Sequence, residues 1–173
     1  ATTGNSEQKA GLVYAYTYDA SAQLWLQKGQ PLATPDRFDG YNFDNQFGRA
    51  LEMSANGNHL LVADSHYQTH KGIGWRFTYD SSSNLWLNDG IFFDNLTANN
   101  YYGYVGVALS GDGNTVAMSR YNDTRHTRIW RNIGPDENGD LVWVIIGQDD
   151  GGSFPSLSYD GNRIINYHHT TNN

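Results

Sequence analysis

Apolar and small residues alternate with polar ones in three short runs: Ala50, Leu51 and Met53; Val105, Val107 and Leu109; Phe154 and Leu157. Each run ends in a near-identical pentapeptide, Ser-Ala-Asn-Gly-Asn, Ser-Gly-Asp-Gly-Asn or Ser-Tyr-Asp-Gly-Asn, around Gly57, Gly113 and Gly161. Alternation with a period of two marks a half-buried strand, and Asn-Gly or Asp-Gly marks a tight hairpin because its turn needs positive φ. A second strand follows each turn, at 59–63, 115–119 and 163–167. The pattern predicts three β-hairpins.

Between them lies a second repeated half, at 11–29, 72–90 and 127–147: a strand, a polar turn, and a strand centred on Trp25, Trp86 or Trp143. The period, roughly 50 to 60 residues, is that of one supersecondary unit, and four meandering strands per unit describe a propeller blade. The expected fold is all-β: one β-propeller segment over 1–173, with three four-stranded antiparallel blades near 11–67, 72–119 and 127–167. The three Trp side chains are expected between neighbouring blades, where large aromatics usually pack.

Composition agrees with strands joined by turns. Of 173 residues, 19 are Gly and 14% are aromatic, against 11 Lys and Arg together. The net charge of -7 argues against a nucleic-acid partner, which needs a basic surface. With no Cys, a disulfide framework, a thiolate metal site and a cysteine nucleophile are all excluded. No window approaches the ~18 consecutive apolar residues that read as a membrane span. The first residues are polar, so any secretory leader is expected to have been removed.

Phe47-Gly48, Tyr102-Gly103 and the three Gly-Asn turns carry a resemblance to the FG-GAP-like propeller repeats of integrin-type heads and secreted proteins. It covers nearly the whole chain and implies a propeller at the cell surface or outside the cell. The Gly-Ala-Pro that follows the second strand in that family is missing, as is its Asp-x-Asp-x-Asp-Gly calcium loop, so calcium is not implied here.

Three blades are too few for a closed ring of about 4 to 8. Completion is expected either from another chain, as in a six-bladed homodimer with blades shared between copies, or from further sequence of a longer chain. Protein partnership or self-assembly is therefore part of the expectation.

The three Gly-Asn turns are tight and uninformative, whereas the opposite face of such a fold collects the long loops, where function usually lives. Five of six His fall there: His66 and His70 in Ser-His-Tyr-Gln-Thr-His, His126, and the pair His168 and His169. Beside them lie Asp36, Asp39, Asp44, Asp149 and Asp150. Imidazoles and carboxylates on one surface suit a divalent metal such as zinc, the one cofactor the sequence suggests; the bland alternative is solvated loop residues. His66 and His70 are read as loop residues, without helical facing. Tyr41, Tyr67, Tyr101 and Tyr121 with Asp44 form a candidate sugar-binding set, aromatic faces beside hydrogen-bonding groups. Asn95 and Asn122 open Asn-x-Thr glycosylation triplets, which a chain this rich in Asn, Ser and Thr also produces by chance. No catalytic residue is assigned: no Gly-x-Ser-x-Gly turn and no phosphate loop occurs, and no Asp pair is preferred over another.

The leading functional expectation is a secreted or cell-surface module with a structural, assembly or adhesion role. A lectin-like module and a loop-face hydrolase are the alternatives.

Overall fold

The structure, a computed structural model, describes residues 11–35, 46–93, 99–121 and 125–168. They form four antiparallel sheets in chain order. The first is a hairpin of β1 (Tyr16–Asp19) and β2 (Leu24–Gln27). Next comes a four-stranded meander of β3 (Ala50–Met53), β4 (His59–Asp64), β5 (Ile73–Asp80) and β6 (Leu85–Phe92). A second meander contains β7 (Val107–Leu109), β8 (Thr115–Ser119), β9 (His126–Pro135) and β10 (Leu141–Asp150). The last sheet is the hairpin of β11 (Gly152–Leu157) and β12 (Ile164–His168).

The three Ser-x-Asx-Gly-Asn turns are built alike, which explains the repeat. The serine hydroxyl of Ser54, Ser110 or Ser158 donates to Asn56, Asp112 or Asp160, whose side-chain oxygen also accepts the N–H two residues on. The same serine oxygen then accepts the N–H that opens the next strand, from His59, Thr115 or Arg163. Gly57, Gly113 and Gly161 supply φ of +68°, +77° and +65°. Stabilised by the Ser158 hydroxyl and the Asn162 backbone, the Asp160 carboxyl is pulled down to about 2.

Strands inside the meanders are covered on both faces. In β4 and β8, residues 60–64 and 115–119 are all buried, because another sheet packs on each side. One cluster, with Leu60, Val62, Trp75, Phe77 and Trp86, joins the first hairpin to the first meander. The other, with Leu61, Phe92, Tyr102, Val116 and Trp130, joins the two meanders. The end hairpins differ: β1, β2 and β12 are largely exposed.

Neighbouring sheets are fastened by a repeated Trp–Gly contact. Trp86 is buried over Gly29, where an added Cβ would lie 2.5 Å from its ring, and its indole N–H donates to Lys28 O at 2.8 Å. Trp143 covers Gly90, where a Cβ would lie 3.1 Å from Nε1, and donates to Asp89 O at 3.3 Å. Trp86 and Trp143 thus pack between neighbouring sheets. Trp25 does not: it is 66% exposed, with no sheet beside it among the described residues.

The tight turns, read from sequence as featureless, also join sheets. Ala55 N–H donates to Gly111 O and Asp112 N–H to Tyr159 O. The carbonyls of Gly57, Gly113 and Gly161 each accept from a cation of the preceding sheet, Lys28, Arg76 and Arg131. Arg76, 2% exposed, also pairs with Asp89 and donates to Nδ1 of His59 at 2.9 Å.

Two expectations follow. Trp86→Ala empties a packed contact and leaves Lys28 O without its donor, so it should cost ~3 to 5 kcal/mol in denaturant unfolding; a loss under ~1 kcal/mol would contradict the burial. His59 gives the second. Burial, then the Arg76 guanidinium, hold its imidazole below the ordinary range, although Asp89 and Asp112 pull the other way. The unfolded chain takes up a proton near pH ~6.5 that the folded chain resists. Its contribution is therefore present above ~6.5 and is lost as pH falls from there through the lower folded value. Between pH 7.5 and 5.5 the melting temperature of His59→Gln should drop less than that of the parent; equal drops would remove His59 from the account.

Candidate functional site

A cleft lies where the connections of the two meanders meet. Gln46 and Arg49 lead into β3, His66 follows β4, Tyr101 and Tyr104 precede β7, and Tyr121 follows β8. Together they line a cleft of about 360 Å³.

Each residue is held from below. The buried Asp64 at the end of β4 accepts N–H bonds from Gln46 (2.9 Å) and His66 (3.0 Å), tying two segments of the wall together. After His66 the chain forms one helical turn, α1 (Tyr67–His70), in which His70 N–H bonds to His66 O. This corrects the reading of His66 and His70 as loop residues: the turn brings their rings edge to face at 4.7 Å. Tyr101 N–H then donates to His70 O, and Tyr102 N–H to Lys71 O. That approach explains Gly72, where any Cβ would overlap the Tyr102 backbone. His70 and Tyr101 take positive φ (63° and 49°), local strain that the surrounding bonds maintain.

The rings form a continuous aromatic wall. His70 stacks on Tyr101 at 5.0 Å, Tyr101 meets Tyr104 at 6.1 Å, and Tyr104 meets Tyr121 at 5.1 Å. Two guanidinium groups sit over it: Arg49 above Tyr104 at 4.5 Å and Arg125 near Tyr121 at 5.4 Å. No Asp or Glu is among the described residues lining the cleft. Cations on aromatic faces, away from lining carboxylates, make a surface suited to a planar or ring-shaped ligand carrying negative charge.

The sequence-derived candidates divide sharply. Tyr101, Tyr121 and His66 come together in the cleft, with His70 behind them. Tyr67, expected to be exposed, is 3% exposed and packs edge to face on Trp75, because the helical turn directs it inward. His126 is also buried, at the start of β9 against Tyr102. His168 is the last residue of β12, where it meets Asp149 Oδ2 at 2.9 Å. Asp149 and Asp150 belong to β10 and not to a loop. Of the candidate metal-binding His, His66 and His70 stand ring to ring, and among the described residues no three His, Asp or Glu side chains converge as a ligand set. Tyr41, Asp44, Asp36, Asp39, His169, Asn95 and Asn122 lie outside the described residues.

Sequence reasoning missed Arg49, Tyr104 and Arg125. For Arg49 and Tyr104 the signal was their place directly after Phe47-Gly48 and Tyr102-Gly103, the two strand entries that the fold sets side by side; Arg125 had no such signal. No protein-family model matches this chain, and no curated protein matches it. Among the described residues, no helix is long and apolar enough to cross a membrane.

Proposed function

We propose that this chain is a β-propeller module, FG-GAP-like in type, that works at the cell surface or outside the cell by assembly or adhesion. In this reading the two meanders are complete blades, and the two hairpins are the halves of blades completed by protein. One observation carries it. The outer edges of β1 and β12 are unpaired among the described residues, yet they bear apolar side chains whose counterparts in the meanders are buried. Aligned on the turn glycine, Ile165 (74% exposed) corresponds to Leu61 (0%); aligned on the Trp, Tyr14 and Tyr16 (46% and 48%) correspond to Trp75 and Phe77 (0% and 3%). Free strand edges with apolar residues invite pairing by another strand.

Hydrogen exchange on the protein recovered in its native assembly tests this for any protein partner. Amides on the outer edges of β1 and β12 should exchange as slowly as those of β4 and β8. Exchange as fast as in the 136–140 turn would overturn the assembly reading.

The cleft favours a second reading, a lectin-like site for acidic sugars, because it presents Arg49 and Arg125 against Tyr104 and Tyr121. On an array of neutral and acidic glycans, carboxylated or sulfated sugars should bind. Arg49→Ala should weaken that binding by roughly tenfold or more, the loss of one bond to a charged group. Binding confined to neutral sugars, or unchanged in Arg49→Ala, would refute it.

A further inference from the structure

The assembly reading leaves the partner open, and the Trp–Gly contacts narrow it. Of four Trp-x-x-x-Gly segments in the sequence, Trp130–Gly134 lies within β9, and the other three, Trp25–Gly29, Trp86–Gly90 and Trp143–Gly147, each lie in or just after the last strand of their sheet. In Trp86–Gly90 the Trp belongs to the contact with the preceding sheet and the Gly to the contact with the following one. Two such contacts are made within the chain, Trp86 on Gly29 and Trp143 on Gly90. One ring and one seat remain. Trp25 is 66% exposed, and a Cβ on Gly147 would meet only Ile129 Cδ1, at 3.6 Å.

The loose ring and the empty seat are matched by the loose strands. If a strand with the sequence of β1 paired with β12 as β5 pairs with β4, a blade of four strands would form beside the second meander. Its Trp25 would then stand to Gly147 as Trp143 stands to Gly90, with Ile146 O taking the place of Asp89 O. The local geometry agrees: β10 has a register irregularity between Ile145 and Gly147, at the position of the one between β5 and β6 that precedes Gly90. A third surface matches as well. Leu51 and Met53 of β3 are 51% and 43% exposed, whereas their counterparts Val107 and Leu109 in β7 are 7% and 5% exposed beneath neighbouring sheets. They border a mostly apolar groove of about 220 Å³ with Val13, Tyr14, Ala15, Leu60 and the one carboxylate Glu52, on the side where the hairpin β11–β12 of a partner would lie.

We propose that the partner is a second copy of this chain: β12 of each copy pairs antiparallel with β1 of the other, and Trp25 of each seats on Gly147 of the other. This rests on the assembly reading and specifies its partner and register. The exchange is isologous, so two copies pair the free edges of both β1 and β12 in each. The register follows from the first meander, where Leu61 opposes Arg76 and Ala63 opposes Gly74; Ile165 should oppose Ala15 of the other copy, and Tyr167 should oppose Val13.

The test uses the full chain, expressed alone. Its native mass should be twice 19.4 kDa. Gly147→Leu has room to fold, since its nearest neighbour is an ordinary contact away and its φ is not left-handed. It should keep the far-ultraviolet spectrum of the parent but run at 19.4 kDa. Because the chain has no Cys, cross-linking has no background. Mixing Ala15→Cys with Ile165→Cys under mild oxidation should give a disulfide-linked dimer, and Thr17→Cys with Ile165→Cys, two residues out of register, should not. A dimer that survives Gly147→Leu and forms no in-register cross-link would overturn the interlock while leaving assembly standing. A lone 19.4 kDa species of the parent at all concentrations up to ~100 μM would overturn the second copy as partner. The assembly reading itself fails only on fast exchange at the β1 and β12 edges in native material.

Discussion

The contact between an indole and a glycine backbone sets the spacing on which the rest of this structure depends. A sheet with side chains on both faces cannot approach its neighbour closely enough for an indole N–H to reach a main-chain carbonyl. Removing the Cβ at Gly29 and Gly90 opens that approach, and Trp86 and Trp143 fill it with a large apolar surface whose polar edge finds Lys28 O and Asp89 O. Once the sheets are at this distance, the other links fall within reach. Lys28, Arg76 and Arg131 bond to the turn glycines of the next sheet, and the turn amides of Ala55 and Asp112 bond across as well. The buried Arg76 shows why these links stay local: its charge is matched by Asp89 beside it, and its remaining donors go to Gly113 O and His59.

The cleft follows from the same spacing. Two strand entries, around Phe47-Gly48 and Tyr102-Gly103, are set side by side by the meander-to-meander packing. Arg49 and Tyr104 consequently meet although they are distant in sequence. Asp64 ties Gln46 and His66 together, so the wall is a property of the sheet ends and not of a single loop. Local strain at His70 and Tyr101 is held by their mutual backbone bond, which also places the two rings in a stack.

Sequence made the strands and hairpins legible because both are local. The Ser-x-Asx-Gly-Asn turns and the positive φ of their glycines require only neighbouring residues and appear where expected, whereas the half-burial that alternation predicts does not, β3 being mostly exposed and β7 buried throughout. The packing of Trp86 and Trp143 was legible from residue type. Beyond nearest neighbours, the sequence spoke less plainly. Tyr67 reads as a loop tyrosine, and only the helical turn, which depends on the tertiary setting of α1 above Trp75, directs it inward. His126 reads as a loop imidazole, yet β9 begins early enough to bury it against Tyr102. The Arg49–Tyr104 and Arg125–Tyr121 contacts rest on a sheet-to-sheet angle that no local pattern encodes.

The Trp-x-x-x-Gly segments lie between these cases. Their recurrence is visible in the sequence, but its meaning is not, because a Trp and a Gly four residues apart in one strand do not touch each other. Each belongs to a different neighbour, the ring to the sheet before and the glycine to the sheet after. A strand carrying both is therefore directional, and a row of such strands always leaves one ring at one end and one seat at the other. Trp25 and Gly147 are those ends here. Their exposure is thus a consequence of how sheets of this type are joined, and the free edges of β1 and β12 are the same consequence expressed in the backbone. Side chain and main chain ask for the same neighbour in the same register, a coincidence that random surface exposure would not produce.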